Sequence, residues 1–417
     1  MKARILAVSA LTVALSVQAA NAKTLEDVLK EKGVITEADY KEITKSKPYD
    51  YTLGKGFTFT TADEKFQLTF GGRMQFRYTF TDFDNNSTKS DVSQFDAKRI
   101  RLIAQGHAYT KNLTYDLEFD PRAYASSGNK GLINAWMNYR LCNEAQLRVG
   151  QYKTPFSRQE LTSDGALQFV DRSIVVDAFK PTYDIGAMVN GKIAGGLAYY
   201  YAGIFGGAGQ TTTRSSNDNL FVARAVVNPL GDLSYSEADL DNGAKPRLSF
   251  GANYFRNTVN KTAAALDVTV PNYATSTGWL GKGFNKAGFA AANDKLDVDS
   301  YGADLAFKWL GLSVQAEYLL GQAESQANGH LLRAHGCYAQ AGYMVIPKTL
   351  ELAYRYSYLD PDRDVTNNIM TEQIGAVSWY FNKHNLKLQA DVGNIHTQTA
   401  TAPTDDLQYR VQTQIIF

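Results

Sequence analysis

The chain has 417 residues, with 43 Lys and Arg against 42 Asp and Glu, so it lacks the strong basic excess of a nucleic-acid-binding protein. Its two cysteines, Cys142 and Cys337, stand far apart without any CxxC or CxxCH context, which excludes a disulfide framework, a thiol redox motif and a c-type haem. Mean hydropathy is −0.31, a soluble-like value, yet 33 Gly, 25 Tyr and 21 Phe are an unusual load for a soluble domain.

Lys2 and Arg4 precede an apolar run over residues 5–17, and Ala20-Asn21-Ala22 is a small-x-small cleavage site. Residues 1–22 are therefore expected to be a secretory signal peptide, absent from the mature protein. No later stretch reaches the ~18 apolar residues of a spanning helix, so any membrane span must be built from strands. Residues 23–50 carry a helical spacing, with Leu25, Val28 and Leu29, then Val34, Ile35, Tyr40 and Ile43. Thr36 and Asp39 resemble a helix start, and Gly33 separates two short helices. A short periplasmic helical segment is expected there, ahead of a barrel over residues 51–417.

From residue 65 on, apolar and polar residues alternate. Over 65–80, Phe66, Leu68, Phe70, Met74, Phe76, Tyr78 and Phe80 share one face; Gln67, Thr69, Arg73, Gln75, Arg77 and Thr79 share the other. Similar segments follow at 95–109, 112–120, 132–141, 145–152, 183–191, 196–205, 219–228 and 246–255, then at 298–309, 312–321, 332–345, 349–359, 371–381, 386–396 and 406–417. The last ends on Phe417, with Leu407, Tyr409, Val411 and Ile415 opposite Gln408, Arg410, Gln412 and Gln414. Short and long connections alternate, except that residues 231–245 are long where a short turn is due. The fold class expected is all-β: a transmembrane antiparallel up-and-down β-barrel of about 16 strands, wet inside and lipid-facing outside, in a Gram-negative outer membrane. Two outer loops are the longest, 153–182 and 257–297. Aromatics such as Tyr78, Phe80, Trp309, Tyr356, Tyr358, Trp379, Tyr380 and Phe381 are expected in the interfacial girdles.

The order Lys98-Arg99-Ile100-Arg101-Leu102, Leu113-Thr114-Tyr115-Asp116-Leu117-Glu118-Phe119-Asp120 and Leu147-Arg148-Val149-Gly150-Gln151-Tyr152-Lys153-Thr154-Pro155-Phe156-Ser157-Arg158-Gln159-Glu160-Leu161-Thr162-Ser163, continued by Phe169-Val170-Asp171-Arg172-Ser173 and Asp184-Ile185-Gly186, resembles the phosphate-selective porin O and P family. The resemblance is close over the first half of the barrel and holds only in style beyond it. It implies a homotrimeric porin in which the loop after the fifth strand folds inward. It also implies an arginine-lined lumen, with a lysine cluster at the constriction in phosphate-selective members.

Strand parity turns Arg73, Arg77, Arg99, Arg101, Arg140 and Arg148 toward the lumen, where guanidinium groups attract and fork onto oxyanions. Each could instead pair with an inward carboxylate and brace the wall, as Asp120 could with Arg101 across a turn at Thr110-Lys111. Lys153, Arg158 and Arg172 are the candidate constriction residues. The loop's cations are nearly cancelled by Glu160, Asp164, Asp171 and Asp177, a poor composition for a dedicated phosphate trap, since desolvating a dianion requires several compensating contacts. A general porin for small hydrophilic solutes, leaning toward anions, is the expected function. The alternatives are a phosphate- or polyphosphate-selective channel and a barrel scaffold for a partner assembly without significant conductance. With five histidines and no Ser/His/acid motif, neither enzyme activity nor a cofactor or metal site is expected; nor is nucleic acid a partner. His335 and Cys337 share a strand face but make only two ligands.

Overall fold

The computed structural model describes residues 25–40, 49–127, 131–214, 217–260, 272–283 and 293–417. The expected signal peptide, residues 1–22, lies outside them. The chain divides into two units, Met1–Pro48 and Tyr49–Phe417. In the first, helix α1 (Leu25–Glu31) is followed by a helical turn at 37–40. That turn opens on a reciprocal cap: the Asp39 N–H donates to Thr36 Oγ1 at 3.1 Å, and the Thr36 N–H donates to Asp39 Oδ2 at 2.9 Å.

The second unit opens with a hairpin, β1 (Tyr49–Thr52) and β2 (Gly56–Thr60), which the strand reading did not foresee. Its signal was present: Tyr49 and Tyr51 alternate on one side of a Gly54-Lys55-Gly56 turn, Phe57 and Phe59 on the other. Sixteen strands then close into an antiparallel barrel. They are β3 (Gln67–Asp82), β4 (Val92–Ala108), β5 (Thr110–Phe119), β6 (Leu132–Arg140), β7 (Gln146–Lys153), β8 (Tyr183–Ile193), β9 (Ala198–Phe205), β10 (Leu220–Val227), β11 (Arg247–Asn260), β12 (Lys295–Trp309), β13 (Leu312–Ser325), β14 (Leu331–Ile346), β15 (Leu350–Asp360), β16 (Met370–Asn382), β17 (Leu386–Thr397) and β18 (Thr404–Ile416). Each expected strand is present, with ends shifted by a few residues. The first tight turn sits at Tyr109 instead of Thr110-Lys111, and a bulge at His107/Ala108 restores the register that brings Arg101 to Asp120.

β18 pairs with β3, placing Arg410 opposite Thr79 and Val411 opposite Tyr78, so the barrel has no free edge. Exposure alternates as a lipid-facing wall requires: Phe76 is 48% exposed and its neighbour Arg77 5%. Tyr380 departs from the girdle expectation. Alternation turns Trp379 and Phe381 outward but Tyr380 inward, where its hydroxyl donates to Glu351 Oε2 at 2.7 Å. His335 and Cys337 lie outward on β14, with His335 between the rings of Tyr318 and Tyr358.

The interior is not filled by polar side chains alone. Phe156, Val175, Val176 and Phe179, from the connection between β7 and β8, pack against Phe255, Leu319, Leu332 and other inward apolar residues of β10–β15. Phe156 meets Phe255 edge-on at 4.9 Å, and Phe179 stacks on Trp279 at 5.9 Å. Trp279 comes from the second long outer loop, of whose middle residues 272–283 are described. The long external connection therefore lies inside the barrel, seated in an apolar core.

Two measurements check these contacts. A Cβ on Gly72 would lie 2.9 Å from the Phe417 ring and 2.8 Å from the Arg101 carbonyl oxygen, where the Phe417 N–H donates to the Gly72 carbonyl at 3.0 Å. Gly72→Val is expected to cost about 1–3 kcal/mol of closure and to lower the temperature at which the folded band is lost on unheated gels; an unchanged transition would contradict the contact. Phe179→Ala is expected to weaken loop seating by about 3–5 kcal/mol, seen as faster cleavage of the 154–182 segment by external protease in a barrel that still resists SDS.

Candidate functional site

The inward loop begins and ends on strained backbone. Ser157 has φ +65° and Thr182 φ +67°, and the Thr154 N–H donates to the Thr182 carbonyl at 2.9 Å to close the neck. Between these points the chain crosses to the far wall and exchanges hydrogen bonds with strands around the barrel. Glu317 of β13 accepts from the N–H groups of Arg158 (3.1 Å) and Gln159 (2.6 Å). Lys387 of β17 donates to the Leu167 carbonyl at 2.9 Å, and Gln414 of β18 to the Gly165 carbonyl at 3.0 Å. Asp171 takes salt bridges from Arg77 at 2.6 Å and Arg410 at 3.3 Å, while Arg410 also holds Asp391, which accepts from the Val170 N–H.

The six arginines expected to attract anions fall into three environments. Arg73, Arg77, Arg99 and Arg101 are each within salt-bridge distance of carboxylates: Arg73 and Arg101 of Glu118 (3.4 and 2.9 Å), Arg101 also of Asp120 (3.0 Å), Arg99 of Asp164 (3.0 Å) and Arg77 of Asp171. Arg140 is exposed at the periplasmic end and bonds Asn112 at 2.9 Å. The Arg148 side chain has no hydrogen-bond or ionic partner among the described residues; its guanidinium carbon sits 4.1 Å above the Trp136 ring and 5.5 Å from that of Tyr152. Of the constriction candidates, Arg158 is 1% exposed, bonding Ser249 Oγ and the Ser234 carbonyl. Arg172 is the loop's internal hub, bridging to Glu160 at 3.1 Å and donating to the Thr162 carbonyl at 2.7 Å. Lys153 donates to the Glu160 and Thr162 carbonyls at 2.5 and 3.4 Å, with no carboxylate of the described residues within salt-bridge distance.

Arg148 and Lys153 share a recess of about 320 Å³ between the loop and the inner faces of β3–β8, lined also by Trp136, Tyr152, Tyr183 and Asp164. On the other side a second connection enters the lumen. The connection between β10 and β11, which was long where a short turn was due, folds up into the barrel, where Glu237 accepts from Gln159 Nε2 at 2.8 Å and from the Gln168 N–H at 2.7 Å. Trp136 was legible as inward, since it shares parity with Asn134, Asn138 and Arg140. Lys98 was not: it is the extra residue of a bulge opposite Gln75/Phe76, among Arg77, Arg99 and Asp171, and no periodicity announces a bulge.

Charge balance decides how the loop responds to acid. Burial would raise the carboxyls of Asp164 and Asp171, but the guanidiniums of Arg99 and Arg172 at the first, and Arg77 and Arg410 at the second, outweigh it and hold both well below the usual carboxylate range. Their stabilisation is thus fully present above the unfolded value of about 4 and lost only as pH falls through the lower folded values. Release of these two anchors, recognised as the current noise that Asp171→Asn should already show at neutral pH, is expected in wild type only below about pH 4; the same noise appearing in wild type but not growing in Asp171→Asn near pH 5–6 would contradict this.

Comparison with known proteins follows the same lines. The family model described as phosphate-selective porin O and P matches residues 68–417. Porin O of Pseudomonas aeruginosa is 25% identical over 371 residues, covering 84% of this chain and 79% of that protein. Among solved structures, the anion-selective porin of Comamonas acidovorans superposes with TM-score 0.55 at 10% identity, covering 84% of this chain and 99% of that one. The outer membrane channel DcaP of Acinetobacter baumannii gives TM-score 0.54 at 12% identity, covering 87% and 100%. A barrel closed by β18 on β3, an inward loop after its fifth strand and a family match over nearly all of the barrel lead to one conclusion: this chain belongs to the phosphate-selective porin O and P family and is an integral outer-membrane β-barrel porin.

Proposed function

We propose that this porin is a general, passive, anion-preferring channel for small hydrophilic solutes, without enzymatic activity, whose solute path runs through the recess between the loop and β3–β8. The observation that carries this reading is the pair of cations in that recess, Arg148 and Lys153, which have no salt-bridge partner among the described residues while Arg73, Arg77, Arg99 and Arg101 are paired with carboxylates. In a narrow, water-filled passage, uncompensated cations raise the local anion concentration, whereas paired ones contribute little field. Strict phosphate selectivity has less support, because Arg158 and Arg172 are consumed in holding the loop and leave few donors for a dianion.

A homotrimer is also proposed, on the physics of the wall. β7, β9 and β10 have 8 residues each, where β11–β14 have 14–16. A tilted strand of that shorter length rises roughly 20 Å, less than the ~25 Å apolar band of an outer-membrane barrel. Copies of the same chain packed on this low wall would shield it from the lipid mismatch.

Reversal potentials across planar bilayers in a KCl gradient test the channel reading. Wild type is expected to favour chloride over potassium, and Arg148→Gln combined with Lys153→Gln to lower that ratio several-fold with the conductance step retained. A ratio unchanged in the double variant would remove both residues from the selectivity argument. For assembly, migration of the unheated, detergent-solubilised protein as a trimer is expected, and a monomer in mild detergent would contradict it.

A further inference from the structure

We infer that the recess holding Arg148 is a binding subsite for monoanionic organic carboxylates with a planar, apolar body, preferred there over inorganic phosphate. The inference rests on the solute path proposed above and adds to it the class of solute that is retained.

The first ground is the state of the Arg148 fork. Its Nε is buried without an acceptor, and among the described residues the side chain makes no hydrogen bond or ion pair. A guanidinium is a planar set of donors matched to the two oxygens of a carboxylate. Stacking on Trp136 at 4.1 Å fixes the plane of that fork without consuming its donors. Lys153, on the same recess, gives two of its three N–H bonds to loop carbonyls and keeps one.

The second ground is the company these cations keep. Trp136, Tyr152 and Tyr183 line the same space, with the Lys153 ammonium 5.7 Å from the Tyr183 ring centre. Aromatic and apolar walls around a few placed donors suit a solute with one charged end and a flat hydrophobic body. A bare phosphate would gain nothing from the aromatic walls and would meet the Glu118 and Asp164 carboxylates on the same lining.

The third ground is net charge. The recess is lined by three cations, Arg73, Arg148 and Lys153, and by two carboxylates, Glu118 and Asp164. With Asp116 of β5 also within electrostatic reach of Arg148, the surplus is at most one positive charge, which suits a monoanion better than a dianion. A phosphate dianion would meet the field of Glu118 and Asp164 while losing more hydration, at a cost that a single free guanidinium does not repay.

The test is inhibition of chloride conductance in multichannel bilayers of the full protein, titrated with benzoate, acetate or inorganic phosphate at pH 7. Benzoate is expected to half-inhibit at a concentration at least about tenfold below acetate and below phosphate, a ratio equivalent to about 1.4 kcal/mol. Trp136→Leu should bring benzoate to the level of acetate while chloride still flows. Arg148→Lys, which keeps the charge and loses the fork, should weaken both carboxylates. Folding of each variant is checked by its unheated gel mobility and its chloride step. Anion-selective conductance in wild type with benzoate no stronger than acetate, or with phosphate strongest, overturns the subsite and leaves the channel reading standing. Absence of anion-selective conductance in wild type overturns both.

Discussion

The interior of this barrel depends on two loop carboxylates, the buried Asp164 and the partly buried Asp171, set among the arginines of the wall. A loop about thirty residues long, spanning 153–182, must be held across a wet lumen, and loops held there by apolar contact alone would leave their polar backbone unpaired. Arg99 and Arg73 reach Asp164, Arg77 and Arg410 reach Asp171, and Arg355 donates to the Asp171 and Arg172 carbonyls. Removing one partner from such a set leaves a charge buried and uncompensated, typically at about 3–5 kcal/mol. The apolar face of the loop supplies the other half of the hold, with Phe179 and Val175 in the core formed by β10–β15 and the described part of the second long loop.

This anchoring determines which charges remain for solutes. Arginines that hold the loop are neutralised by it, so the rows of lumen arginines serve as a frame more than as a field. In the recess Arg148 on β7, stacked on Trp136, and Lys153 at the loop's root are left over; Lys98 in the β4 bulge is likewise outside any ion pair among the described residues. The periplasmic connection reinforces the asymmetry, because Glu237 accepts hydrogen bonds from Gln159 and Gln168 on the side of the loop away from the recess.

The barrel was largely legible because a period of two is a strong signal when one side meets lipid. Phe76 and Arg77 are opposite in exposure for the reason the alternation gave, and the pairing of Arg101 with Asp120 followed from register. The interior was harder to read. Leu319 and Val298 face inward into an apolar core, where a porin lumen is expected to be polar, and the only trace in the sequence is a strand apolar on both faces, as at Tyr318-Leu319-Leu320. Whether an inward arginine braces or conducts depends on which loop carboxylate reaches it, a contact between residues about a hundred positions apart, as for Arg77 and Asp171. No local pattern encodes that distance. Tyr380 was legible and misplaced: grouping it with Trp379 and Phe381 as an aromatic cluster overrode its parity.

The central claim, that ion pairs to the wall pin the loop and so define the passage, is tested most directly by single-channel recording of Asp171→Asn at neutral pH. The expected result is a barrel that still inserts and conducts but flickers, with a mean conductance above wild type as the freed loop leaves the lumen. A steady current of wild-type size would contradict the account.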